Sequence, residues 1–231
     1  MSTQVSTATK RRTAKFAPRP VARATLPDEV YRRIKDLILD GNIAPGELVT
    51  IQGLADAFEV SAMPVREALT RLTAEKALTL IAGRSVGIPN LDPGRLHDLT
   101  RVRLSVETTA ARWAAESITS EQFANLASLC KLMDQAIRKS DRRAFVRANH
   151  DFHFVIYRAA GSQTMLGIIE GLWLQVSPYF HLLHRSDNYV TSNEQHRLIL
   201  VALKSRDADG VAAALHGDIT AAAAMLAKLL S

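Results

Sequence analysis

Two histidines, an asparagine and an aspartate stand out in the C-terminal half of the chain by type and spacing. Asn149 and His153 lie four residues apart in "ANHDFHFVIYRAAGS", which on a helix puts both on one face. Phe145, Phe152 and Ile156 lie beside them, so that face is expected to point inward. His196 and Asp218 lie roughly 11 residues to either side of a turn expected near Asp207, and in an antiparallel helix pair such positions come level. His216 competes with Asp218 for the same role, but the helical wheel separates them. Asp218 falls inside the apolar stripe of Val211, Leu215, Ala222, Met225 and Leu229, and His216 leaves the helix about 160° away from it. A carboxylate facing a core needs a partner. On these residues alone two readings are open. The four can form a metal-free polar core, with His153 and His196 hydrogen-bonded to Asn149 and Asp218. They can also form a ligand set of two nitrogens and two oxygens with open positions, suited to zinc, nickel, iron or manganese.

Arg103 belongs to the same question. It lies on the inward stripe of its helix with Leu99, Val106 and Ala110. A buried arginine can hold the carboxylate of a small molecule through paired hydrogen bonds, or it can pair internally with Glu107, four residues on. His181 and His184 follow Trp173 and Pro178 and are expected along the same cavity, His181 as a second ligand-facing residue beside Arg103. A metal with open positions can also hydrolyse or hydrate a substrate. That chemistry needs a base or nucleophile beside the metal, and no such motif is evident, so the chain is not read as an enzyme.

These residues need a scaffold that brings separate segments together. From Arg95 onward no β-type alternation is present, and helices are expected at about 95–118, 120–139, 141–160, 163–185, 190–205 and 208–230, an antiparallel bundle. The first part differs. A helix is expected over 27–40, a short one over 51–58, and a third from the stretch "VSAMPVREALTRL" to about Lys76. Ser61 stands where an N-cap oxygen is wanted, and Pro64 falls in the first turn, where a missing N–H costs little. Val65, Ala68, Leu69 and Leu72 form the inward face of this third helix, while Met63, Arg66, Glu67 and Thr70 point outward. A short helix, a tight break and a helix with polar and basic residues near its start is the helix-turn-helix layout, whose second helix enters the major groove of DNA. Two β-type runs around Gly83, Arg84 and Ser85 then read as a hairpin, a wing. The fold expected is therefore mainly α, an N-terminal winged helix-turn-helix over 26–90 followed by an all-α bundle over 91–231.

Charge is placed unevenly. Residues 1–27 hold Lys10, Arg11, Arg12, Lys15, Arg19 and Arg23 with no acid, which equals the net +6 of all 231 residues, so the remainder is formally neutral. Rich in Ser, Thr, Ala and Pro, residues 1–25 read as a disordered basic tail, a type of arm suited to a polyanion such as nucleic acid. No run of about 18 apolar residues occurs, so no membrane span is expected. The one cysteine, Cys130, allows no intrachain disulfide and fits a reducing cytosol; it reads as a small buried group rather than a nucleophile.

The stretch "GNIAPGELVTIQGLADAFEVSAMPVREALTRLTAEKAL" resembles the winged helix-turn-helix of the GntR family of bacterial transcription regulators. It carries G-x-x-x-P-G-x-L and then L-A-x-x-F-x-V-S-x-x-P-V-R-E-A-L-x-x-L. The segments "RLSVETTAARWAA", "ANHDFHFVIYRAAGS" and "EQHRLILVAL" resemble the FadR-type (FCD) ligand-binding domain of the same family. The resemblance implies that Gln52, Ser61, Ala62, Met63, Pro64, Arg66 and Gly83 face DNA, and the outward Thr70 and the hairpin's Arg84 are added to them. It also implies a homodimer on an inverted-repeat operator in double-stranded DNA, a small organic acid as effector, and a divalent metal held by an Asp or Asn with three histidines. Two departures matter. Ala62 stands where members often have arginine, so an operator sequence does not carry over. Asp218 stands where histidine is usual. The expectation is a cytoplasmic transcription regulator, a repressor, with a DNA-binding dimer lacking any effector as the alternative.

Overall fold

The computed structural model describes residues 25–82, 85–185 and 188–230. The basic tail up to Ala24, and Gly83 and Arg84 of the wing, lie outside the described residues, as do the side chains of His181 and His184.

The first described element is α1, Leu26–Leu39, entered through Pro27. Asp28 in its first turn accepts hydrogen bonds from the Thr25 amide (3.2 Å) and hydroxyl (2.8 Å), which ties down the free start of the helix. Val30, Ile34 and Ile38 recur every four residues and are buried. A two-residue strand β1, Val49–Thr50, leads into α2, Ile51–Phe58, capped by the Thr50 hydroxyl on the Gly53 amide at 3.0 Å. Glu59 then takes a left-handed conformation (φ 56°), the sharp reversal that a helix-turn-helix requires. In α3, Ala62–Ala74, Val65, Ala68, Leu69 and Leu72 are buried and join α1 and α2 in one core. Ser61 occupies the N-cap position, but its side chain makes no cap hydrogen bond.

The wing consists of β2, Thr79–Ala82, and β3, Ser85–Gly87. It is one strand larger than the sequence implies. β1 pairs antiparallel with β3 (Val49 opposite Val86), giving the order β1-β3-β2. Two residues are too short to leave a period-2 pattern. Gly87 is needed here, since a Cβ would sit 2.4 Å from Ile81 Cδ1 and 2.7 Å from the Glu47 carbonyl oxygen.

The bundle comprises α4 (Pro93–Ser117), α5 (Ser120–Arg138), α6 (Arg142–Ala159), α7 (Gln163–Val176), α8 (Asn188–Lys204) and α9 (Ala208–Leu230). One correction concerns the stretch read as a single helix over 163–185. The α-helix stops at Val176 and Ser177–Arg185 continues as 3-10 turns. Pro178 has no N–H to give, and its ring crowds the carbonyl four residues back, so the chain tightens. Ala110, Ala111 and Ala114 of α4 are fully buried, and such small residues let α9 approach closely. By length and composition α9 is apolar enough to cross a membrane; here its Val211, Leu215, Ile219 and Leu226 are buried in the bundle core, alongside the ionisable Asp218.

Head and bundle touch through polar contacts. Lys35 of α1 meets Glu170 of α7 at 2.5 Å, and Asp40 accepts from Arg147 of α6 at 2.6 Å. Arg95 of α4 reaches Gln175 of α7 at 3.3 Å, and the Tyr179 hydroxyl donates to the Pro89 carbonyl.

Candidate functional site

On the head, α3 presents Met63 (62% exposed), Arg66, Glu67 and Thr70 to solvent, with Ser61 exposed and Ala62 half-buried before them. Arg66 carries no ion pair among the described residues, and Thr70 is tied to the Arg66 carbonyl at 2.8 Å. Gln52, exposed on α2, donates to Asp56 at 2.7 Å. Pro64 was expected to face DNA and is instead buried. Its ring closes the first turn against the core and offers no surface.

The second cluster is deep in the bundle. His153 comes from α6, His196 from α8 and Asp218 from α9, and one ligand atom from each lies within 4.8 Å of the others. All three are buried: 1%, 0% and 6% exposed. The His153 and His196 Nε2 atoms are 3.2 Å apart. Asp218 Oδ2 is 3.3 Å from the first and 3.9 Å from the second. His216 is exposed, with its Nδ1 3.4 Å from the Thr220 hydroxyl. Asn149 lines the same small cavity with Arg103, Trp173 and Phe180; among the described residues its amide makes no hydrogen bond.

The outer sides of both imidazoles are held by groups that dictate where the protons are. Glu107 of α4, fully buried, is a hub. It accepts from Arg103 at 2.6 and 3.3 Å, from the Trp173 indole at 3.2 Å and from the Tyr157 hydroxyl. Tyr157 thus spends its proton on the carboxylate and can only accept from His153 Nδ1, 3.2 Å away. On the other side Asn193 Oδ1, an acceptor, faces His196 Nδ1 at 3.3 Å. With both Nδ1 atoms protonated, both Nε2 atoms present lone pairs to each other and to Asp218. Three acceptors therefore converge with no protein donor between them, an arrangement that a cation would satisfy.

Charge leads the same way. Burial pushes the His196 imidazole down to about 3, against the pull of Asp218, so it is neutral at pH 7. Burial pushes the Asp218 carboxyl up, but positive charge at the His153 and His196 imidazoles and the Ser192 hydroxyl at 2.6 Å pull it down to about 2. It is therefore ionised. An ionised carboxylate in a dry site calls for a counter-charge, and Arg103 is already paired with Glu107.

Several partners went unnoticed in the sequence: Glu107 as a hub, Tyr157, Trp173, Ser192 and Asn193. Two of them had a readable cue. Tyr157 lies four residues after His153, and Asn193 three before His196, so each shares its histidine's helix face. The side chain of His181 lies outside the described residues.

Comparison with known proteins places both halves. Residues 26–88 match the family model "Bacterial regulatory proteins, gntR family", and residues 98–221 match the FCD domain. The HTH-type transcriptional regulator McbR of Escherichia coli K12 is 29% identical over 185 residues, covering 79% of this chain and 84% of McbR. The HTH-type transcriptional repressor NanR of Enterobacter sp. strain 638 is 28% identical over 228 residues, covering 89% of this chain and 87% of NanR. The solved structure of E. coli McbR/YncC superposes with a TM-score of 0.84 at 27% identity, over 90% of this chain and 100% of that one.

Proposed function

The chain belongs to the gntR family of bacterial regulatory proteins, transcription regulators rather than enzymes, and from that premise we propose that it is a cytoplasmic repressor which senses a small organic acid beside a divalent metal. In this reading it acts as a homodimer on an inverted repeat, the two-fold protein presenting one α3 to each half-site. Val102 and Trp113 are large apolar side chains on the outer face of α4, 40% and 44% exposed, and support a second copy packing there. The domain limits 26–90 and 91–231 belong to the same proposal.

His153, His196 and Asp218 would hold the metal, with Asn149 beside them. The fit rests on the chemistry of the donor set: three converging acceptors, one of them an anion, and no protein donor at the centre. The mixed imidazole and oxygen set suits zinc, nickel, iron or manganese. When bound, the metal supplies an open position for a carboxylate oxygen. Arg103, stacked near Trp173 and Phe180 (5.4 and 5.8 Å to the ring centroids), would hold the other end of the acid.

One observation carries the sensing mechanism. Three elements that line the cavity also grip the head or its linker. On α6, Asn149 lines the cavity and Arg147 holds Asp40. On α7, Trp173 lines it and Glu170 holds Lys35. In the 3-10 segment, Phe180 lines it and Tyr179 holds the Pro89 carbonyl. The cavity's free space is about 30 Å³, enough for an ion with a water or two and too little for an organic acid. Entry of the acid must part these elements, and their contacts to the head move with them. Operator affinity then changes by the acid's differential affinity for the two arrangements.

A second reading, a DNA-binding dimer whose bundle takes no effector, is favoured by the tight cavity and by Arg103 already being paired with Glu107. The test is a thermal-shift panel of organic acids, neutral sugars and amines with zinc, nickel or manganese present, followed by operator binding with each hit. We expect organic acids to raise the melting temperature and alter operator affinity. Arg103→Lys keeps the charge but not the paired geometry, and should erase both effects. A panel without hits, or hits among neutral sugars with Arg103→Lys silent, selects the second reading.

A further inference from the structure

We infer that Asn193 is a positioning residue which locks the tautomer of His196, and that Asp134 sets the direction in which Asn193 points. The starting point is at the surface, where Arg197 of α8 reaches the Asp134 carboxylate of α5 at 2.5 Å. A carboxylate held by a guanidinium is ionised and can only accept hydrogen bonds. Asn193, itself 1% exposed, lies 2.7 Å from the same Asp134 oxygen. Only its NH2 group can face that oxygen. The amide is therefore not free to flip: its nitrogen points outward to Asp134, with the Cys130 carbonyl also within reach at 3.4 Å. Its oxygen must then point inward.

That inward oxygen meets two groups, the Cys130 thiol at 3.3 Å and His196 Nδ1 at 3.3 Å. The thiol donates to it, and the imidazole satisfies it only as Nδ1–H. A bare Nδ1 would put two lone pairs in contact inside a dry core. The proton is thus held on the outer nitrogen, and Nε2, the atom turned toward His153 and Asp218, is left with its lone pair. A chain of obligatory roles runs from the Asp134 carboxylate to the atom at the centre: carboxylate acceptor, amide donor, amide acceptor, imidazole donor. Asn193 prepares His196 to accept a cation, and Asp134 prepares Asn193. Histidines that ligate metals are oriented in this way by the partner of their other nitrogen. Here the partner takes its own orientation from a residue near the surface.

The effect on metal affinity rests on the proposed function, but the tautomer does not, so the two can fail separately. The experiment is two-bond proton–nitrogen NMR on full-length, metal-free protein labelled with 15N-histidine, above pH 7.5. The parent and three variants are compared, with folding checked by circular dichroism. The parent His196 should read as Nδ1–H. Asn193→Ala removes the acceptor, and Asp134→Asn, at a half-buried position where folding is little threatened, removes the acceptor-only group. Both should admit the Nε2–H form. Arg197→Ala leaves the carboxylate and should leave the tautomer unchanged. Zinc affinity, by titration, should fall about 10–100-fold in Asn193→Ala. An Nε2–H or doubly protonated His196 in the parent overturns the inference, as does an unmixed Nδ1–H form in both Asn193→Ala and Asp134→Asn. A parent that takes no zinc, nickel or manganese while the tautomers follow this pattern removes the metal and leaves the lock in place.

Discussion

Asp218→Asn should separate what the buried centre lacks from what it holds, because the replacement keeps the shape and changes one charge and one proton inventory. In the parent, Asp218 Oδ1 accepts from Ser192 at 2.6 Å and Oδ2 faces His153 Nε2 at 3.3 Å. An asparagine keeps the first contact through its carbonyl. Its NH2 supplies the donor that the convergence of Oδ2 and two Nε2 atoms lacks. One added hydrogen bond is worth about 0.5–1.5 kcal/mol, and loss of an unpaired buried negative charge acts in the same direction. For a chain of this size 1 kcal/mol corresponds to about 2–4 °C, so the metal-free variant should melt about 1–6 °C above the metal-free parent. With metal the order reverses. A parent at 100 times its dissociation constant gains about 2.7 kcal/mol, or about 5–11 °C, and the variant should gain almost none. The assay is thermal melting in chelator and then in zinc, nickel or manganese. If the metal-free variant instead melts about 6–20 °C lower, the carboxylate is paired with a protonated imidazole, since breaking a buried ion pair costs about 3–5 kcal/mol; the bare-centre reasoning is then wrong. A variant that keeps the parent's metal-dependent gain removes Asp218 from the ligand set.

Two further outcomes follow from the same structure. Arg66→Ala should weaken specific operator binding by about 1–3 kcal/mol if Arg66 reads a base, and removal of residues 1–24 should flatten the salt dependence; fluorescence anisotropy across a salt series reads both, and unchanged affinity and slope refute them. Metal-free protein should lose stability as pH falls from 6.5 toward about 3, because burial holds His196 neutral in the folded state while the unfolded chain takes up the proton. Asp218, depressed to about 2, adds its loss only below 3.8. Urea midpoints in chelator should therefore drop between pH 7 and pH 5, and less so in His196→Gln; a midpoint that rises on acidification overturns the assignment.

Much of this protein could be read along the chain because the cues are local. The break before Ser61, the proline in the first turn of α3 and the four-residue recurrence of Val30, Ile34 and Ile38 act within a few residues, so the helix-turn-helix is legible without any long-range contact. The wheel likewise put Asp218 inside α9 and His216 outside, because a helix commits each side chain to one face. Other features depend on partners far apart in sequence, and no periodicity carries them. β1 exists only because β3 lies beside it. That Arg103 pairs with Glu107 was an open alternative in the sequence. That Glu107 also takes the protons of Tyr157 and Trp173 follows only from how α4, α6 and α7 cross. The roles at the buried centre are decided in the same way. A sequence states that two histidines and an aspartate exist, but which nitrogen carries the proton depends on what Tyr157 and Asn193 must do for Glu107 and Asp134. Those obligations arise only when five helices close around a buried site.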